Sequence, residues 1–139
     1  MKKLILFLTL LSFMYANSLP YLYNYQEALQ KATLEKKSVM VLVVTTYCPW
    51  CKRFKKKTLM NKKIQKEILK DYVVVMLNKE TDEMPEDLKS RLVPTTFFLD
   101  NKGEEFYSAI GYRTVKQFKI DLTDSLDMRD MEDIDIDEE

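Results

Sequence analysis

Apolar and polar positions come in blocks that mark out helices and strands in turn. Tyr25, Ala28, Leu29 and Ala32 follow the i, i+3, i+4, i+7 spacing of one helix face, and Asn24 with Glu27 three residues later forms a capping box at its start. This helix is predicted to run to about Lys37, after an aromatic lead-in from Leu19 to Tyr25 that carries no helix signals. Met40 to Thr46 is β-branched and apolar without alternation, the pattern of a strand covered on both faces, as in a parallel sheet. A helix is predicted from Cys48. The stretch from Phe54 to Lys70 stays helix-compatible, with Asn61 as a break and Ile64, Ile68 and Leu69 as a second apolar stripe. Tyr72 to Leu77 is another apolar strand, which makes strand, helices and strand a βαβ unit with a right-handed crossover. Pro85 fits the first turn of a short helix ending near Leu92. From Val93 to Leu99 a proline directly heads an apolar strand, Asp100 to Gly103 reads as a turn, and Glu104 to Ala109 returns as the second arm of an antiparallel hairpin. Thr114 with Gln117 caps a last helix whose Val115, Phe118, Leu122 and Leu126 face the sheet.

The only two cysteines, Cys48 and Cys51, sit where the first strand hands over to a helix. Free backbone N–H groups and the macrodipole at a helix N-terminus favour an anion, so a thiol there ionises more readily than the reference pKa of roughly 8.5. Cys48 is therefore the expected nucleophile. Cys51 lies one turn later on the same face, close enough to close a disulfide with Cys48 and too far into the helix to be equally exposed, so it is the expected resolving thiol. There is no histidine, which removes Ser/His/Asp and Cys/His catalysis and the commonest transition-metal ligand. Two cysteines cannot close a zinc site without carboxylates or a second chain, and no metal is expected. The sequence has no internal repeat, no Gly-rich phosphate loop and no carboxylate pair of catalytic spacing.

A chain of 139 residues that is 46% apolar fits one domain with a real core, placed at residues 19 to 126. Residues 1 to 18 read as a signal peptide: Lys2 and Lys3 form a basic start, and Leu4 to Phe13 an apolar run shorter than the roughly 20 residues a spanning helix needs. Cleavage fits after Ala16 or after Ser18, and an uncleaved anchor or a buried first helix is the alternative. Export places the mature chain in the periplasm, where disulfides persist. The formal net charge of zero hides an asymmetry. Residues 17 to 120 carry 19 Lys and Arg against 12 Asp and Glu, giving +7, while residues 121 to 139 carry 1 against 10, giving −9. The stretch from Asp127 to Glu139 is expected to be an acidic, disordered tail, either solubilising or folded over the basic face of Lys52, Arg53, Lys55, Lys56 and Lys57.

The element order, the CxxC at a strand-to-helix junction and the later Val93 Pro94 Thr95 before a hairpin together resemble the thioredoxin superfamily over about residues 25 to 122. Within it, the chain resembles the exported thioredoxin-related branch, with the C-terminal domain of the periplasmic reductase DsbD and the SoxW-like proteins. Cys51 Lys52, the helical stretch Asn61 to Lys70, the strand Tyr72 to Asn78 and Pro94 follow in the same order as there. The resemblance implies a thioredoxin fold, a central mixed β-sheet of about four strands flanked by helices, with redox work carried by Cys48 and Cys51 and no cofactor. It implies that Pro94 is a cis-proline beside the pair, turning Val93 so that its N–H and C=O pair with an extended substrate segment. An ordinary trans proline is the alternative. Tyr47, Pro49 and Trp50 would complete the substrate-contacting surface, unless Tyr47 and Trp50 are plain packing.

Two features depart from the pattern. Leu42 stands where cytosolic thioredoxins carry a buried aspartate that accepts the proton of the second thiol, so either water or another group such as Glu80 or Asp82 takes that role or exchange is slower. The Cys-Pro-aromatic-Cys motif also resembles glutaredoxins, but Ala109 Ile110 Gly111 Tyr112 has a single Gly where those have the Gly-Gly that helps hold glutathione, so glutathione binding is disfavoured. The expectation is a periplasmic thiol:disulfide oxidoreductase, more a reductant than an oxidant because no histidine lies between the cysteines. It would act as a monomer on protein thiols and disulfides, take electrons from an upstream donor such as a membrane reductase, and bind no nucleic acid. The alternative is a non-catalytic thioredoxin-like binding module with a structural disulfide.

Overall fold

Odd and even positions of a strand face opposite sides of its sheet, and the central strand of this molecule is apolar at both. The computed structural model describes residues 18–89 and 92–136, with the backbone alone from 132. Apart from Ser18, the expected signal peptide lies outside them. Helix α1 (Tyr25–Glu35) is followed by β1 (Ser38–Val44), α2 (Pro49–Phe54), a π-helical segment (Lys55–Leu59), α3 (Lys62–Asp71), β2 (Tyr72–Asn78), a 3₁₀ turn (Glu86–Leu88), β3 (Thr95–Leu99), β4 (Glu105–Ile110) and α4 (Val115–Ile136). The sheet order is β2-β1-β3-β4. β1 runs parallel to β2, from Ser38 opposite Tyr72 to Val44 opposite Asn78, and antiparallel to β3, which pairs antiparallel with β4. This is the expected α/β architecture, a mixed sheet of four strands flanked by helices.

All seven β1 residues are buried. Met40, Leu42 and Val44 pack with Phe54, Ile68, Phe98 and Phe118 on one side of the sheet, while Val39, Val41 and Val43 pack with Ala28, Ala32 and Leu77 on the other. That two-sided burial is why the run does not alternate. Truncating a buried ring such as Phe118 to Ala would cost about 3–5 kcal/mol. The helix starts are fixed locally. Asn24 Oδ1 accepts from Glu27 N at 2.9 Å, Asn61 Oδ1 from Lys63 and Ile64 N, and Thr114 Oγ1 from Gln117 N.

The structure differs from the sequence reading at element ends. β1 begins two residues early and stops at Val44, because Thr46 N donates to the Glu80 carboxylate at 3.0 Å and Thr46 Oγ1 accepts from Asn78 Nδ2. α1 stops at Glu35 because Lys36 turns into the left-handed region at φ 54°. Pro85 precedes the short Glu86–Leu88 turn instead of lying in it. The lead-in makes an unforeseen contact: Leu22 bridges Val75 on the outer edge of β2. The acidic stretch also departs from expectation, since α4 continues past Leu126 through Ile136. Ser125 and Leu126 still hold to the core there, and Arg129 pairs with Asp130 at 3.0 Å. Arg129 and Asp130 share a surface depression with Ser38, at the start of β1, whereas Lys52 and Lys55 share one with Val44 at its end, about 20 Å away along the strand. Asp130 thus lies at the opposite end of β1 from Lys52 and Lys55, away from the basic face that was one of the two placements open to the acidic stretch.

Candidate active site

β1 delivers the chain from the buried sheet to the surface through Thr45, Thr46 and Tyr47, and Cys48 caps α2. Its backbone is extended (φ −136°, ψ 91°), and its Sγ accepts a hydrogen bond from Cys51 N at 3.1 Å. Pro49 follows at the first helical position, where its missing N–H is one that would have no intrahelical partner. Cys48 and Cys51 form a disulfide with S–S 1.98 Å and Cα–Cα 5.2 Å. The two sulfurs are unequal. Cys48 is half-buried, whereas Cys51 is 2% exposed and packs in the core with Leu42 and Phe54. An attacking or attacked group from outside therefore meets Cys48 first.

Among the remaining expected site residues, the Val93–Pro94 peptide bond is cis, Pro94 is buried and Val93 packs on the same core cluster as Cys48. Pro94 O accepts from Gly111 N at 2.7 Å, tying the start of β3 to the end of β4. Trp50 is half-exposed and its ring lies 5.7 Å from that of Tyr112. Tyr47 is 93% exposed and makes none of the ring contacts found among the described residues. Glu80 and Asp82, the carboxylates considered for proton transfer from Cys51, are engaged elsewhere: Glu80 accepts from Thr46 N, and Asp82 from Asn78 N at 2.8 Å. The Thr46 amide holds the Glu80 carboxyl below the usual carboxylate range. Leu42, at 0% exposure, gives Cys51 an apolar neighbour in place of an acid.

Sequence reasoning passed over Tyr112 and what holds it. The Arg53 guanidinium lies 5.3 Å from the centroids of both the Trp50 and the Tyr112 rings, a doubled cation–π contact, and Phe54 meets Tyr112 edge-on at 6.3 Å. The next residue, Arg113, is anchored twice. Thr58 of the π segment donates its hydroxyl to Arg113 O at 2.6 Å, and the guanidinium pairs with the buried Asp121 carboxylate (Nη2 to Oδ1 3.1 Å, Nε to Oδ2 3.0 Å). Tyr107 OH donates to the same Oδ1 at 3.1 Å, and burial followed by that carboxylate raises its pKa. The Nε and Oδ2 atoms are close but not aligned for a hydrogen bond, so that contact is one of charge alone. The signal that would have found Tyr112 is the hairpin itself, because pairing Thr95 with Ile110 sets the residues after β4 beside Pro94.

A mixed β2-β1-β3-β4 sheet with a half-exposed and a buried cysteine joined at the end of its central strand defines a CxxC disulfide domain of thioredoxin fold. The chain belongs to the thioredoxin-like domain family, whose model matches residues 25–125. Among solved structures it is similar to a thioredoxin from Thermus thermophilus, at 26% identity and TM-score 0.68 over 77% of this chain and 86% of that one. It is also similar to a DsbH oxidoreductase (15%, TM-score 0.64, 81% and 89%) and to a candidate disulphide isomerase from Bacteroides thetaiotaomicron (23%, TM-score 0.65, 77% and 95%). No curated protein sequence matches the chain.

Proposed function

We propose that the protein is an exported thiol:disulfide oxidoreductase of the periplasm, related to the SoxW-like and DsbD C-terminal branch, that reduces disulfides in client proteins. The observation that carries this reading is the unequal pair, an accessible Cys48 sulfur bonded to a sheltered Cys51. In the reduced protein, the Cys48 thiolate attacks one sulfur of a client disulfide. A Cys48–client bond forms, the client S–S bond breaks, and the departing client sulfur leaves as a thiolate that takes up a proton. Cys51 then gives up its proton and attacks Cys48 Sγ. The client's second sulfur leaves as a thiolate and is protonated, and the Cys48–Cys51 disulfide is restored. Two electrons and two protons have passed to the client, and an upstream dithiol, supplied by a membrane reductase, returns them.

Val93, which packs on the same core cluster as Cys48, offers an extended client backbone contacts, and the half-exposed Trp50 between the two cysteines offers it a ring. Leu42 gives Cys51 no internal proton acceptor on β1, so its proton leaves through water in the open groove beside it. Cys51→Ser blocks the second step and is expected to accumulate a client mixed disulfide on Cys48, while Cys48→Ser abolishes insulin reduction with the fold retained. A reduction potential near roughly −270 mV supports a reductant, and one near roughly −120 mV overturns that direction in favour of an oxidant. Loss of thermal stability as the main effect of both substitutions, without loss of turnover, would make the disulfide structural and the domain a binding module.

A further inference from the structure

The redox chemistry above makes no use of the lysines beside the cysteines. Between Glu35 and Glu67 the chain has ten Lys or Arg and no carboxylate, and five of the ten directly follow Cys51 within six residues. Arg53 is committed to the Trp50 and Tyr112 rings. Lys52 and Lys55 instead line, with Thr46, Tyr47, Cys48 and Cys51, an open groove of about 560 Å³ that starts at the disulfide. Their ammonium groups have no ion-pair or hydrogen-bond partner among the described residues, whereas Lys31, Lys37, Lys89 and Lys119 each face a glutamate. Neither Val93 nor Pro94 lines the groove, so it is a second flank of the site, separate from the cis-proline side. Glu80 bonds the amide of Thr46 but is not part of the groove wall.

We propose that this groove seats the client segment next to the attacked cysteine, and that this segment is acidic. The inference rests on Cys48 being the attacking sulfur. Lys52 and Lys55 follow Cys48 by four and seven residues, about 6 and 10 Å along a helix axis. An extended client rises about 3.3 Å per residue, so the lysines meet side chains roughly two to four residues from its cysteine. Asp or Glu at those positions finds two unpaired cations and no competing carboxylate in the groove wall. Clients with Lys or Arg there are repelled.

The test uses the reduced full chain and two peptides of one sequence, each carrying a cysteine blocked as a 2-pyridyl disulfide and differing only in Asp-Asp or Lys-Lys three residues beyond it. Cys48 attacks the peptide sulfur and releases 2-thiopyridone, whose absorbance gives the rate, and Cys51 then frees the peptide thiol. Because one thiolate attacks both peptides, the ratio of rates cancels any effect of the lysines on Cys48 ionisation. The acidic peptide is expected to react about tenfold faster at about 0.01 M ionic strength, with the ratio falling towards one near 1 M, where the Debye length shrinks from about 30 to about 3 Å. Lys52→Glu with Lys55→Glu is expected to invert the order, and Lys52→Gln with Lys55→Gln, in case the reversal does not fold, to bring the ratio near one. A wild-type ratio near one, or a ratio that both variants leave unchanged, overturns the acidic segment while leaving the redox reading intact. Binding of phosphatidylglycerol vesicles with a peptide ratio near one overturns it in favour of a membrane surface. Release of no thiopyridone from either peptide overturns the redox reading, and the groove assignment falls with it.

Discussion

The two flanks of the disulfide are built in opposite ways. On one, Trp50, Arg53, Phe54 and Tyr112 interlock ring on cation on ring, and Arg113, Asp121 and Thr58 fasten the chain behind them. On the other, Lys52 and Lys55 stand over a groove with no ion-pair or hydrogen-bond partner for their ammonium groups among the described residues. The first flank has its geometry settled before a client arrives and contributes to the stability of the free domain. The second adds little to stability and acts only when an anion approaches. Residues adjacent in one helix can therefore serve opposite ends, one set maintaining shape and the other steering.

The comparison is broken most severely at Asp121. Asp121→Ala leaves Arg113 and its guanidinium half-buried without a carboxylate, and a cost of about 3–5 kcal/mol is expected, read as a lowered denaturant midpoint. Trp50 emission should shift as the Tyr112 loop loosens. Alkali probes the same side of the sheet further inside. Tyr72, 1% exposed and edge-on to Phe98 at 5.2 Å, has its pKa pushed up to about 12, chiefly by burial. The folded state keeps that proton above the unfolded pKa of about 10, so stability is full below pH 10 and declines as pH rises towards 12. Tyr72→Phe is expected to flatten part of this decline, Tyr21 and Tyr107 sharing the same direction, and to cost about 1 kcal/mol near pH 7. The cost is small because Ser125 still has Leu122 O for its hydroxyl.

Of similar size to the Tyr72 substitution at neutral pH is the ring pair itself. A double-mutant cycle between Trp50→Ala and Tyr112→Ala should give a coupling of about 0.5–1.5 kcal/mol in chemical unfolding. Least of all, Lys52→Gln with Lys55→Gln should change stability by less than about 0.5 kcal/mol while altering the salt dependence of client reaction. A large stability loss there would erase the distinction between the flanks.

What was legible in the sequence is what is local. Asn24, Asn61 and Thr114 announce their helices because each cap bonds an amide two or three residues on. The non-alternating β1 run reveals burial on both faces, and the CxxC is visible from spacing alone. In the sequence Tyr112 stands out only in the comparison with Gly-Gly, since its neighbours Trp50 and Arg53 lie about sixty residues away and no periodicity links them. Thr58 looked like an ordinary helix residue, but its partner Arg113 is 55 positions distant. Charge density at Asp127 onward suggested fraying, while the helix is held from earlier positions, Leu122 and Ser125, whose burial depends on the sheet. The last turn of β1 was misplaced by Thr46, which tertiary contact with Glu80 and Asn78 pulls out of the ladder.

Leu22 lies far from the chemistry. Its N–H donates to Val74 O at 2.8 Å and its carbonyl accepts from Met76 N at 2.9 Å, on the outer side of β2. Val73, Val74 and Val75 form one of the most strand-prone runs in the chain, and an uncovered run of that kind is a template on which a second molecule can add a strand. In colloidal terms, a single leucine before the first helix occupies the middle of that template and guards the monodisperse state against edge-to-edge association.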